Sequence, residues 1–233
     1  MPRLHKEKFK TLHNVFDNFT NRVLFKLISQ GHFSGVESPI SVGKESNIFS
    51  AHKDDDRVII KIYRLEVCDF GKMYDYIKYD PRYTGLKNKR REVILAWAQR
   101  EYRNLFKIRE IGVRVPKPIT FKSNVLVIEF IGDTDPAPKL KDLIPKEKKE
   151  FFDKIIDNIK KMYKAGYVHA DLSEFNILNH NEIPVFIDFS QCTPLDNPNA
   201  MDYLKRDILN ICRFFKKHGL KIDVDEVIKK VLK

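Results

Sequence analysis

The segment Val168-His169-Ala170-Asp171-Leu172-Ser173-Glu174-Phe175-Asn176-Ile177-Leu178 constrains this chain more than any other. Its polar residues follow the pattern HxDxxxxN. A second apolar run, Val185-Phe186-Ile187, then ends in Asp188, twelve residues beyond Asn176. A loop bearing a carboxylate and an amide, followed by a strand that delivers a second carboxylate, is the arrangement that phosphoryl transfer needs. The reason is the charge of a polyphosphate. Divalent cations spread it, and hard Mg²⁺ takes oxygen ligands, which Asp188 and the amide carbonyl of Asn176 can supply. Asp171 would orient or deprotonate the attacking oxygen. Singly, each residue reads as a turn-former or a strand end. Together, at this spacing, they read as a metal pair and a base.

A second signal is Val58-Ile59-Ile60-Lys61-Ile62-Tyr63, which sets a lysine inside an apolar run. A buried ammonium is costly unless it meets an anion. Nucleotide phosphates and a helix glutamate would provide one. The helix predicted from Lys89 to Glu110 offers Glu92, Glu101 and Glu110, of which mid-helix Glu101 is best placed to face a sheet. Alone, Lys61 reads equally well as a solvent-facing residue on a strand edge. Ahead of it, Ile40-Ser41-Val42-Gly43-Lys44-Glu45-Ser46-Asn47-Ile48-Phe49 carries one glycine and two serines that can meet phosphate oxygens through N–H groups and hydroxyls. It is neither a Walker loop nor a full GxGxxG, and in isolation it reads as an ordinary turn.

Apolar spacing organises the rest. Val15, Phe19, Val23, Leu24, Leu27 and Ile28 predict a helix within the first 34 residues, ended by Gly31 and Gly35. Ile48–Ala51 and Val58–Tyr63 predict a hairpin around Lys53-Asp54-Asp55-Asp56. Residues 64–86, with four tyrosines, a proline and two glycines, predict a long irregular loop. Val93, Trp97, Leu105 and Ile108 mark the 89–110 helix, which Pro116 and Pro118 stop. Val125–Ile131 is a strand, and the Gly132–Pro138 bend is the candidate linker between two lobes. Helices are expected near 147–165, 199–218 and 224–232. The chain has 233 residues, 42% of them hydrophobic, enough for a two-lobed unit with a substantial core. Its 43 basic against 32 acidic residues, a net charge of +11, favour a polyanionic partner. Lys87-Asn88-Lys89-Arg90-Arg91 opposes a helix macrodipole and reads as a solvated face or as a contact for an external anion. No run approaches 18 apolar residues, so no membrane partner is expected. Met1–Lys8 lacks an apolar signal core. Cys68, Cys192 and Cys212 are odd in number and far apart, which fits a cytoplasmic protein without disulfides.

Taken together, these segments resemble the RIO family of atypical serine/threonine protein kinases, from about residue 12 to 218. Ser41-Val42-Gly43-Lys44-Glu45-Ser46-Asn47 is similar to its phosphate loop, His169 to Asn176 to its catalytic loop, and Ile187-Asp188-Phe189-Ser190-Gln191 to its metal loop. The last two favour the type-one branch, because the type-two branch usually has Gly-Asp where this chain has Ala170-Asp171. Val42-Gly43-Lys44-Glu45-Ser46 is closer to the type-two loop. The resemblance implies an α+β, two-lobed, protein-kinase-like fold with a truncated C-lobe and an added N-terminal helix. The expected division is a helical segment over 1–35, an N-lobe over 36–131 and a C-lobe over 132–233. Residues 189–233 are too few for the activation segment and peptide platform of an ordinary protein kinase.

By position, the resemblance makes Lys61 the phosphate lysine and Glu101 its ion-pair partner. It places Glu129 and Ile131 in the adenine-binding hinge, and Ser41, Gly43, Lys44 and Ser46 along the phosphates. It implies ATP with Mg²⁺ or Mn²⁺, an Asp188 able to receive phosphate as in an aspartyl-phosphate ATPase, and a role in maturing the small ribosomal subunit, whose precursor or rRNA would be the partner. Two rivals share features with this reading. Small-molecule phosphotransferases of the aminoglycoside and choline kinase type share HxDxxxxN and a following Asp. A nucleotide-gated ribosome-binding scaffold would suit the basic charge.

Overall fold

The computed structural model describes residues 16–66 and 68–233. Val15 of the expected first stripe and the Met1–Lys8 stretch lie outside them. Helix α1 (Asn18–Ser29) is capped by Asp17, whose side chain accepts from Thr20 N at 2.7 Å. It buries Val23, Leu24 and Leu27 at helical spacing. Five antiparallel strands follow: β1 (Gly35–Val42), β2 (Ser46–Lys53), β3 (Asp56–Tyr63), β4 (Pro118–Lys122) and β5 (Val125–Glu129), in the order β1-β2-β3-β5-β4. Alternation along the central strands assigns the two faces. Val58, Ile60 and Ile62 of β3, with Val125 and Val127 of β5, pack under α1. Leu126 and Ile128 of β5 face the other way, against Leu105 and Ile108 of helix α3 (Arg90–Glu110). Lys61 shares that second face with Ile59 and Tyr63, so its side chain leaves the sheet toward α3.

One expectation is corrected here. Residues 64–86 are not an irregular loop. They hold helix α2 (Phe70–Ile77) and a 3₁₀ turn (Pro81–Tyr83), each started by an aspartate, Asp69 accepting from Lys72 N and Asp80 from Arg82 N. Met73, Tyr76 and Ile77 pack against Trp97 and Val93 of α3, and Tyr76 stacks on Tyr203, ring centroids 5.4 Å apart. Three of the four tyrosines read as loop residues, Tyr74, Tyr76 and Tyr83, are thus packing residues. The run at the start of α3 is a solvated basic face: Lys87, Asn88, Lys89, Arg90 and Arg91 are all exposed, although Arg90 donates to Glu66 O and Cys68 O and lies over the Phe70 ring, and Arg91 lies 4.0 Å over the Phe19 ring.

The bend after β5 closes tightly: Ala137 N donates to Ile131 O at 2.8 Å, and a Cβ on Gly132 (φ 148°) would meet Asp135 O at 2.2 Å. Only glycine fits there. The remainder is mostly helical. It comprises α4 (Lys148–Lys164), α5 (Ala200–Lys217) and α6 (Val224–Leu232), with a two-stranded pairing of β6 (Tyr167–Val168) with β9 (Thr193–Pro194) and, between them in the chain, the hairpin of β7 (Ile177–His180) with β8 (Ile183–Phe186). Phe151, Ile155 and Ile159 of α4 and Ile208, Ile211 and Phe215 of α5 share one apolar cluster with the inner face of α3. No helix among the described residues is long and apolar enough to cross a membrane.

The order of residues 64–86 is testable. Ile77 is fully buried, so Ile77→Ala is expected to cost about 2–5 kcal/mol of unfolding free energy. It would be read from the urea midpoint at unchanged slope. A loss under about 0.5 kcal/mol, the range of surface substitutions, would return the segment to an irregular loop.

Candidate active site

Hairpin β7–β8 explains the spacing that opened the sequence reading. Ile177 pairs with Phe186, and one step further Ile187 N donates to Asn176 O at 3.0 Å. The register therefore brings Asn176 and Asp188 to the same end of the hairpin. Both line a cleft of about 320 Å³ that also takes in Ser41, Lys61, Glu101, Glu129 and Ile131.

Lys61 is its hub. The ammonium is buried and lies 3.0 Å from Glu101 Oε1 and 2.9 Å from Asp188 Oδ1. Burial opposes its charge, but the Asp188 and Glu101 carboxylates outweigh that and raise its pKa. The Tyr63 hydroxyl donates to the other Glu101 oxygen. Burial alone would raise Asp188. Lys61 beside it and the Ser190 hydroxyl, donating to Oδ1 at 2.7 Å, instead hold it down at about 2.

Asp171 sits beside the cleft, joined to it through Asn176, whose Nδ2 donates to Asp171 O at 2.8 Å and to its Oδ2 at 3.1 Å. Burial, then the nearby Asp188, raises the Asp171 pKa. With the Asn176 amide nitrogen committed to Asp171, its amide oxygen is the end left for a cation. The bonds recorded to Asp188 likewise fall on Oδ1. An amide oxygen and a carboxylate oxygen lining one cleft suit a hard cation such as Mg²⁺ or Mn²⁺.

The remaining expected residues divide. Ser41 lines the cleft, but Gly43, Lys44 and Ser46 do not. The Gly43 N–H is spent on Ser46 O at 3.0 Å, closing the β1–β2 turn, and Lys44 is exposed. The Glu129 side chain is drawn off to Arg114, at 2.8 and 3.1 Å, and to Lys117 N at 2.8 Å. Of the backbone there, the Glu129 N–H is spent on Lys117 O and the Ile131 carbonyl on Ala137 N.

Three positions escaped the sequence reading. Asp207 of α5, nearly fully buried, accepts from Ala170 N at 2.8 Å and Leu172 N at 2.9 Å, while Arg206 donates to Ala170 O. Burial pushes Asp207 up to about 7 against those two donors. A carboxylate inside the Leu204/Ile208/Ile211 stripe was the available signal. Ala170 itself has φ 67° and Asp188 φ 62°, a left-handed backbone that costs a non-glycine residue about 1–2 kcal/mol. His169 ties the loop to the end of the second strand: Nε2 meets Ile187 O at 3.1 Å, which makes it the donor, and burial lowers the ring's pKa to about 4.

The paired sheet and helix, the buried Lys61–Glu101 ion pair and the Asn176/Asp188 end of the cleft define a protein-kinase-like fold. Comparisons with known proteins agree. A family model described as the RIO domain matches residues 47–227. The RIO-type serine/threonine-protein kinase Rio1 of Methanocaldococcus jannaschii is 40% identical over 225 residues, covering 96% of this chain and 77% of that one. Its namesake in Haloferax volcanii is 37% identical over 223 residues, 95% and 77%. Human serine/threonine-protein kinase RIO1 is 35% identical over 91% of this chain and 39% of its own length. A crystal structure of Rio2 kinase from Chaetomium thermophilum, an ADP/Mg²⁺-phosphoaspartate complex, matches in fold with a TM-score of 0.67 at 24% identity, over 89% of this chain and 64% of that one. The chain belongs to the RIO family of serine/threonine protein kinases, on its Rio1 branch.

The depressed Asp188 carboxyl has a pH signature. A group held below its ordinary value of 3.8 stabilises the fold above that value and loses its contribution as pH falls toward about 2. The urea-midpoint gap between wild type and Asp188→Asn should be constant above about pH 5 and narrow below about pH 4. A gap that stays constant down to about pH 3 would mean that Lys61 does not hold Asp188.

Proposed function

We propose that the cleft binds ATP with Mg²⁺ or Mn²⁺ and that the chain acts as a serine kinase or ATPase in the cytoplasm, during maturation of the small ribosomal subunit. One observation carries the chemistry: Lys61, Glu101, Asn176 and Asp188, remote in sequence, line one cleft beside Asp171. We read residues 36–131 as the N-lobe and 132–233 as the C-lobe, with the nucleotide between the lobes. Adenine would meet the backbone from Glu129 to Ile131, since the Glu129 carboxylate is engaged by Arg114. Ser41, with the Gly43–Ser46 turn beyond it, would flank the phosphates. Lys61 would meet them as its bond to Asp188 is exchanged for phosphate oxygens, with Glu101 holding the ammonium in place.

The cation, held by Asn176 and Asp188, would neutralise charge that develops on the phosphates. For a serine acceptor, Asp171 takes the hydroxyl proton as the new O–P bond forms and the bond from γ-phosphorus to the bridging oxygen breaks, releasing ADP. If an Asp188 oxygen attacks instead, an acyl phosphate forms and ADP leaves. Water then returns the carboxylate and inorganic phosphate. The Rio2 structure named above contains a phosphoaspartate, which supports considering this second route. The net charge of +11 supports a polyanionic partner such as the small-subunit precursor or its rRNA.

Asp171→Ala should lower turnover by about 10²–10⁴-fold while nucleotide affinity stays near wild type. Incubation with γ-labelled ATP, with and without small-subunit precursor, would measure both the rate and the bond. Base-labile label marks the acyl phosphate, and base-stable label marks the serine ester. Full turnover by the Asp171→Ala protein would refute the assignment.

A further inference from the structure

The turn after Asp188 is held from behind by two side chains of α3. Arg100 donates from Nη1 to Ser190 O at 2.6 Å. Asn104 donates from Nδ2 to Phe189 O and to Cys192 O, each at 2.9 Å. Three carbonyls of one short turn are thus committed to buried partners, and the turn begins at a residue with φ 62°. Left-handed backbone is open to aspartate as a single residue, and here the turn that follows it is held in place by these bonds.

Those two side chains are in turn held by the segment between β3 and α3. Asp80 takes Arg100 Nε on Oδ2 at 3.1 Å, and Arg82 on both oxygens, at 2.9 and 2.6 Å. Arg82 Nη2 also meets Asn104 Oδ1 at 2.7 Å. The Asp80 and Arg100 side chains are wholly buried. A pair so deep is a poor source of stability, because desolvation offsets the attraction and apolar residues would pack as well. What it provides is orientation. A planar guanidinium bound along one edge by a carboxylate has its other arm aimed, here at Ser190 O.

We propose that Asp80 is a positioning residue for Asp188. It aligns Arg100 directly and Asn104 through Arg82, and so fixes the turn from Phe189 to Cys192 and the direction in which the Asp188 carboxylate meets a cation. The α2 and 3₁₀ segment thereby becomes an outer part of the metal site, although none of its residues lines the cleft. The inference rests on the reading of Asp188 as a metal ligand, and its test separates the two.

Binding, rather than turnover, is the measurement. Calorimetric titration of the full chain with ADP, with and without Mg²⁺, gives the factor by which the metal tightens the nucleotide. Asp80→Asn should cut that factor by about ten- to a hundredfold, as loss of an outer partner does at metal sites, with metal-free ADP affinity unchanged. Amides 189–192 should exchange hydrogen faster in the same variant. A purely structural role would instead weaken both titrations alike. Should Asp80→Asn fail to fold, the double variant Asp80→Leu/Arg100→Met fills the space without charge, and it should show the same selective loss because Ser190 O is released. An unchanged metal factor in either folded variant overturns the proposal, provided that Asp188→Asn lowers it. If Asp188→Asn also leaves the factor unchanged, the metal reading of Asp188 falls first.

Discussion

One buried ammonium ties the parts of this molecule together. Lys61 comes from a central strand, Glu101 from the helix across the sheet face, and Asp188 from the turn after β8, and all three meet within 3.0 Å. Burying such charges costs several kcal/mol per ion, recovered only with good geometry and full hydrogen bonding. Both conditions hold: Tyr63 takes the second Glu101 oxygen, and Ser190 donates to Asp188. Removing Lys61 strands the buried Glu101 in low dielectric, at roughly 3–5 kcal/mol, whereas the Asp188 side chain, 39% exposed, keeps access to water. The strand and the helix are therefore held to one arrangement more by the penalty for separating them than by the strength of their attraction. A polyphosphate entering the cleft can take over the role of Asp188 toward Lys61 without stranding a charge, provided that a cation arrives for Asp188.

The same economy governs the two strained residues. Ala170 and Asp188 both adopt left-handed backbone, and each is held by side chains from a helix rather than by its own loop. Asp207 binds the Ala170 and Leu172 amides, and Arg206 binds the Ala170 carbonyl. Arg100 and Asn104 do the corresponding work behind Asp188. Each of these helix residues lies 35 or more positions away in sequence from the turn it holds. The motif residues are thus a surface layer on a hydrogen-bonded support. At position 170, where glycine would bear the conformation freely, alanine makes that support necessary.

How much of this can be read from the chain depends on whether the signal is local. HxDxxxxN and the Asp188 spacing are legible because a hairpin register fixes them within a few residues. Lys61 is legible because charge in an apolar run has few outcomes, and Glu101 because it sits mid-helix on the face toward the sheet. Helix α2 is not legible. Its eight residues carry no long period, and what orders it is packing of Met73, Tyr76 and Ile77 on α3 and α5, a tertiary effect. Strands β1 and β4 are masked by Pro39 and Pro118, which edge strands tolerate and which read locally as breaks. The Gly43 turn looks like a phosphate cradle in sequence, yet its N–H closes on Ser46 O, because a hairpin with a single glycine has that bond to satisfy first. Asp207 leaves a faint trace, a carboxylate in an apolar stripe, which has meaning only once the loop it holds is known.

Net charge is a blunter guide than it looks, for the same reason. Several arginines that contribute to +11 are paired with carboxylates of the fold: Arg82 and Arg100 with Asp80, and Arg114 with Glu129. The planar guanidinium is suited to such multi-donor work. Lys87, Lys89 and Lys117, by contrast, are exposed, as are Arg90 and Arg91. Such exposed cations attract a polyanion through counterion release, with steep salt dependence and little discrimination. Any selectivity for a particular acceptor would then have to come from the shape of the cleft mouth around Asp171 rather than from the charge that draws the acceptor in.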